Sequence, residues 1–153
     1  IYDNYPGSRG KLPIKKNCGV RFTGKHNFHL DCQFVINTPV EIQSSVIEPH
    51  LDNPKEFYAA LLYMKNSDDD STGGNLVTYK FKDTPRFYGK SRVKHEHVIK
   101  FEEIEYRPNR LVMFLNTPYS IHGVTEKSIS NHYRKFVLTW GQCKFLQYIR
   151  HGQ

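Results

Sequence analysis

Pro49-His50-Leu51-Asp52-Asn53-Pro54 is the stretch on which the fold turns, and it gains meaning from a second one, Ser120-Ile121-His122-Gly123-Val124. In an extended chain, residues i and i+2 point to one face. His50 and Asp52 therefore present an imidazole and a carboxylate side by side. His122 would add a third ligand. Two nitrogens and one oxygen then hold a divalent metal by one face and leave its other positions open. The requirement falls on the fold, because two strands far apart in sequence must lie next to each other.

The rest of the chain has the strands for this. The first 28 residues are rich in Gly, Pro, Lys and Asn and read as an irregular leading or lid segment. Short runs of β-branched and aromatic residues follow, separated by turn signals such as Asn37-Thr38-Pro39, Ser71-Thr72-Gly73-Gly74 and Arg107-Pro108-Asn109. They predict strands over 32–37, 41–47, 57–65, 75–82, 92–103, 110–116, 119–124 and 135–140. A helical turn within 54–62 competes with the third of these, since Phe57–Met64 is apolar enough for either. The expected fold is mainly β with few or no helices. It is a jelly roll or sandwich of about eight strands in one domain over 1–153, with its core at 29–150. In a jelly roll the second and seventh strands are neighbours, which would bring His50 and Asp52 to His122.

His-Leu-Asp occurs twice, at His29-Leu30-Asp31 and at His50-Leu51-Asp52. Either could present two ligands from a strand. The first falls before the predicted first strand, in the polar leading segment, where His29 reads as a surface or lid histidine. The second falls at the end of the second strand, so strand order selects His50 and Asp52.

Composition narrows the class. With 38% hydrophobic and 14% aromatic residues, the 153-residue chain can build a core and is not a disordered protein. No apolar run is long enough to span a bilayer, so no membrane partner is expected. The chain opens on Ile1, not Met, which fits a processed protein or a fragment. Three cysteines, Cys18, Cys32 and Cys143, form neither a disulfide framework nor a zinc pattern, and point to a reducing, cytoplasmic setting. The net charge of +7 favours acidic partners, but the basic residues are dispersed and no RNA-binding signature is present.

In these motifs the chain resembles the 2-oxoglutarate/Fe(II)-dependent dioxygenases, and within them the prolyl-4-hydroxylase type. The likeness runs from about Gln43 to Trp140. His50-Leu51-Asp52-Asn53-Pro54 is similar to the first metal motif of that family. Leu61-Leu62-Tyr63-Met64 resembles the strand whose tyrosine reaches the co-substrate. Thr72-Gly73-Gly74-Asn75-Leu76 resembles the Gly-Gly-x-Leu turn, Ser120–Val124 the distal-histidine strand, and Tyr133–Trp140 the last strand with its basic anchor. The resemblance implies a double-stranded β-helix, with Fe(II) on His50, Asp52 and His122. It also implies 2-oxoglutarate and O₂ as co-substrates and ascorbate as a candidate reductant. Tyr63 and Arg134 would bind the far carboxylate of 2-oxoglutarate, and a small-molecule or peptidyl substrate would be hydroxylated. Lys135 competes with Arg134 for the anchor. Alternation favours Arg134, which shares a face with Phe136, Leu138 and Trp140.

Other motifs carry less. His95-Glu96-His97 puts two imidazoles on one strand face without a third ligand, and reads as a solvated strand. Asp68-Asp69-Asp70 lacks the ligand alternation of a calcium loop and reads as a solvated hairpin. Two rival functions stand beside the oxygenase: a metal-binding cupin without 2-oxoglutarate chemistry, and a basic nucleic-acid-binding β module.

Overall fold

The computed structural model describes residues 18–20, 28–42, 47–83 and 92–143. Their strands are β1 (Cys18–Val20), β2 (Phe28–Asn37), β3 (Ile47–His50), β4 (Glu56–Tyr63), β5 (Leu76–Phe81), β6 (Val98–Ile104), β7 (Arg110–Leu115), β8 (His122–Val124) and β9 (Arg134–Cys143). They form two sheets, ordered β1-β2-β9-β4-β7 and β3-β8-β5-β6. Every pairing is antiparallel except that of β1 with β2. The chain crosses between the sheets at almost every step, which is the jelly-roll arrangement expected of the eight strands β2–β9. Among the described residues there is no α-helix, and no helix is long and apolar enough to cross a membrane.

Register fixes which side chains face inward. Across β2, β9 and β4, Val35 pairs with Phe136 and Phe136 with Tyr63, while Leu138 pairs with Leu61 and Trp140 with Ala59. Paired residues share a face, so these form the inner wall of the five-stranded sheet. Tyr63, Tyr106 and Phe136 pack there, with Val35, Leu61, Val112 and Leu138 against them. A second cluster of Leu51, Val93, Val98 and Ile121, with Tyr79 and Phe81, covers the other sheet. Leu51 and Ile121 each adjoin a proposed ligand and alternate with it, so this cluster lies on the side turned away from the ligands.

Four expectations are corrected. The strand predicted over 41–47 instead starts at Ile47 and carries His50, Glu41 and Ile42 form a bend, and residues 43–46 lie outside the described residues. Pro49, which has no N–H to donate, lies within β3 where its register with β8 shifts, between Ile47↔Val124 and His50↔His122. The first strand starts at Phe28 rather than 32, so His29 and Asp31 lie within it. Cys18–Val20, inside the segment read as irregular, is a short edge strand held by its pairing to β2. His95–His97 is a 3₁₀ turn, not strand, and β6 begins only at Val98. The 57–64 alternative resolves to strand, because β4 is paired on both sides, by β7 and β9.

Candidate metal centre and pocket

His50 and His122 are direct cross-strand partners on β3 and β8, so their rings meet at 4.3 Å between centroids. Asp52 lies two residues beyond His50, in the turn that follows the strand. Its carboxylate sits 3.6 Å from His50 Nε2 and 3.7 Å from His122 Nε2. These three groups offer ligand atoms within 4.8 Å of one another. His50 Nδ1 donates to the Glu48 carbonyl at 2.9 Å, and His122 Nδ1 donates to the Ser120 carbonyl at 3.0 Å. Both Nδ1 atoms carry the proton, so both Nε2 lone pairs point at the shared space. Outer hydrogen bonds of this kind orient metal-binding histidines.

The two imidazoles differ in charge preference. Burial lowers the His122 pKa, with His50 adding to this against the pull of Asp52, so His122 is held neutral. Burial also opposes the charge of His50, but the Asp52 carboxylate and the Glu48 carbonyl outweigh it and leave its pKa raised. Without a metal, Asp52 draws a proton to His50. A divalent ion would take that proton's place between the same three groups.

Asn116 holds the two ligand loops. It is buried, and its Nδ2 donates to the carbonyls of Asn53 and Glu56 at 2.8 and 3.0 Å. Its Oδ1 accepts from Ser120 Oγ at 3.4 Å. The Asp52 turn and the loop leading to His122 are thus fastened to one side chain. The Phe114 ring, two residues back, packs on His122 at 4.6 Å.

The triad opens into a cavity of about 430 Å³. Its wall includes Leu61, Leu76, Phe114, Val124, Phe136 and Leu138, and at its other end stand Asn37 and Arg134. Arg134 is 5% exposed. Its guanidinium carbon lies 5.3, 4.9 and 4.7 Å from the ring centres of Tyr63, Tyr106 and Phe136. One nitrogen, Nη2, donates to the Gly74 carbonyl at 3.1 Å, while Nε is buried without a hydrogen-bond partner. Gly74 itself is at φ +67°, and a Cβ there would press on Nε at 3.4 Å. Burial lowers the Arg134 pKa, and Tyr63 and Tyr106 counter it. Among the described residues no carboxylate pairs with this arginine. A desolvated cation without a counter-ion is costly unless a ligand supplies the anion.

Lys135 does not compete for that place: it is on the opposite face of β9, and its Nζ donates to Asn66. Tyr63 is fully buried beside Arg134 but does not line the cavity. Its Oη has no hydrogen-bond partner, and burial pushes its phenol up while Arg134 pulls it back. His29 and Asp31 are on the other sheet from the triad.

A second cluster, Asp69, Asp70 and His132, also brings ligand atoms within 4.8 Å. Asp69 is buried rather than solvated as the sequence suggested, and its Oδ1 accepts from the Ser71 N–H. Burial raises its pKa, but bonds to Ser71 and the charges of Lys127 and Lys65 win and lower it. With two ammonium groups already supplying positive charge, this cluster is the weaker metal host.

Asn37, Glu56 and Asn116 were not marked by sequence. Asn37 and Glu56 could be found only from the strand register, and no local pattern signals Asn116. No curated protein matches the chain. The family model of the 2OG-Fe(II) oxygenase superfamily matches residues 23–142. The strand order, the clustered His50, Asp52 and His122, and this match lead to one statement: the chain belongs to the 2OG-Fe(II) oxygenase superfamily.

Proposed function

We propose that the cavity binds 2-oxoglutarate between a ferrous ion on His50, Asp52 and His122 and the guanidinium of Arg134, and that the chain hydroxylates a C–H bond of a small-molecule or peptidyl substrate. The observation that carries this reading is Arg134: a buried cation without a carboxylate partner among the described residues, in one cavity with a two-His-one-carboxylate cluster. A cupin without 2-oxoglutarate gives that cation no task. The ordered motifs from His50 to Trp140 support the prolyl-4-hydroxylase type within the superfamily. Cys32 and Cys143, both free, suit a reducing, cytoplasmic setting.

When bound, the iron with 2-oxoglutarate and O₂ supplies the oxidising power, and the co-substrate leaves as succinate and CO₂. The protein supplies position. The Nε2 atoms of His50 and His122 and the Asp52 carboxylate would hold the ion. Arg134 can grip a carboxylate with its Nε edge, where the N–H is unpaired. Tyr63 backs the guanidinium with its ring and directs a phenol to the same buried region. Leu61, Leu138 and Phe136 keep the space between the two ends apolar, which strengthens the carboxylate–guanidinium contact.

The test is succinate formation as a function of 2-oxoglutarate, with Fe(II), O₂ and candidate substrate pools, together with a product mass gain of one oxygen. Arg134→Ala should keep metal binding and lose 2-oxoglutarate affinity by on the order of a hundredfold, the value of two charge-assisted hydrogen bonds. Lys135→Ala should match wild type. Equal curves for wild type and Arg134→Ala would refute the proposal.

A further inference from the structure

Two loops meet next to the Arg134 end of the cavity, residues 64–75 between β4 and β5 and residues 125–133 between β8 and β9. They are joined by several hydrogen bonds. The Thr72 N–H donates to Ser128 Oγ at 3.0 Å, the Ser128 N–H to the Thr72 carbonyl at 2.9 Å, and the Gly74 N–H to the Glu126 carbonyl at 3.2 Å. Lys65 Nζ donates to the Ser71 carbonyl at 2.7 Å, and Lys127 Nζ to the His132 carbonyl at 2.9 Å. These bonds fix the segments that carry Asp69, Asp70 and His132, whose ligand atoms lie within 4.8 Å of one another. Gly74, at the end of the first loop, accepts from Arg134, and His132 stands two residues before Arg134.

Asp69 is the informative member of the cluster. It is 6% exposed, its Oδ1 accepts the Ser71 N–H at 2.9 Å, and its Oδ2 is buried with no hydrogen-bond partner. A carboxylate oxygen in that state costs free energy unless a cation or a donor completes it. His132 Nε2 lies 4.0 Å from Asp70 Oδ1. Two ligands each about 2.0–2.2 Å from one zinc ion are at most about 4.4 Å apart, and this pair already falls within that span. The Asp70 side chain is exposed, so the cluster opens to solvent on its side. We infer that Asp69, Asp70 and His132 hold a second divalent ion of the zinc class, which clasps the β4–β5 and β8–β9 loops beside Arg134. The donor set selects the ion. The ammonium groups of Lys65 and Lys127 near Asp69 count against a cation held by charge alone, such as Ca²⁺ or Mg²⁺. An imidazole adds a nitrogen ligand that zinc-class ions take and these two do not. The site is weaker than the two-histidine triad, lies apart from it, and does not depend on the oxygenase reading.

The experiment is calorimetric titration of the tag-free chain with Zn²⁺. His50→Ala/His122→Ala removes the triad and should keep one equivalent of zinc, with a gain in Tm on adding it. His132→Ala in that background should abolish both. Asp69→Asn or Asp70→Asn should weaken binding about tenfold or more, at least the cost of losing a group that only orients a ligand. In the chain with its triad intact, His132→Ala should lower bound zinc from two equivalents to one, and this change decides the matter where the double variant fails to fold. No zinc in the folded triad-less protein, zinc that persists after His132→Ala, zinc lost instead with His95→Ala/His97→Ala, or zinc displaced by excess Ca²⁺ or Mg²⁺ would each overturn the proposal. A single equivalent that His132→Ala removes and His50→Ala/His122→Ala leaves would uphold this site and count against the triad.

Discussion

Asn116 is the side chain whose loss should separate fold from site. It makes no contact with the proposed co-substrate, yet it joins the turn after Asp52 to the loop that leads into β8 at His122. Asn116→Ala removes the Nδ2 donor from two carbonyls, Asn53 at 2.8 Å and Glu56 at 3.0 Å, in a position 1% exposed. Each lost bond costs about 0.5–1.5 kcal/mol, and a buried carbonyl left unpaired raises that to about 1–3 kcal/mol. The Asn53 carbonyl still accepts the Glu56 N–H at 2.8 Å, so only the smaller cost applies there, and the sum is about 1.5–4.5 kcal/mol. For a domain of this size that is a fall in Tm of roughly 3–18 °C. The second effect is on the metal. With Asp52 and His122 no longer tied through one residue, the ligands lose their fixed spacing, and the gain in Tm on adding Mn(II) should shrink beyond the loss in baseline stability. Asn116→Asp should be worse than Ala, because a carboxylate faces two carbonyls with acceptors only. The assay is thermal unfolding with and without Mn(II). A variant within about 0.5 kcal/mol of wild type, with the full Mn(II) shift, would refute the claim that this residue sets the ligand geometry.

Two further substitutions probe other joints. Asn37→Ala should lower 2-oxoglutarate affinity about tenfold in calorimetry on the Mn(II) protein, because the amide faces the cavity opposite Arg134 and can donate to the same carboxylate; an unchanged affinity would make Asn37 mere wall. Gly73→Ala should lower the denaturant midpoint by more than the roughly 1–2 kcal/mol of a left-handed residue, since φ is +74° and the new Cβ would fall 1.8 Å from the Glu126 carbonyl oxygen; an unshifted midpoint would mean that the turn is free to move.

The sequence carried the parts of the site that obey alternation. His50 with Asp52, and Arg134 with Phe136, Leu138 and Trp140, follow from a period of two. The same period favoured Arg134 over Lys135 without excluding it, and the structure puts the Lys135 ammonium on the outer side with Asn66. Boundaries were less legible where pairing, not propensity, decides them. Val46-Ile47 reads as strand and Pro49 reads as its end, yet the β3 pairing runs through Pro49, because an irregular register spares it the hydrogen bond it cannot make. Tyr63 was expected to reach the far carboxylate with its hydroxyl. Its ring lies beside Arg134, as one of three aromatic faces around the guanidinium. Asn37, Glu56 and Asn116 gave no local signal, since what marks them is a partner dozens of residues away.

The duplicated His-Leu-Asp shows what local pattern can and cannot decide. Both copies begin on strands, and in each the histidine and aspartate are two apart. His29 and Asp31 even face inward, so neither periodicity nor burial separates them from His50 and Asp52. The separation comes from the strand across. His50 faces His122, a second imidazole whose Nε2 reaches the same carboxylate. His29 faces Gln142, and Asp31 faces Trp140. An amide and an indole N–H complete no ligand set for a transition metal. The same tripeptide thus meets a second imidazole on one sheet and none on the other. Exchanging the facing residue should therefore matter as much as exchanging the tripeptide itself. Gln142→His would offer His29 and Asp31 a third ligand, and the surroundings of that pair already carry Glu56. The register alone, with no change to either His-Leu-Asp, is what gives only one of them a facing imidazole.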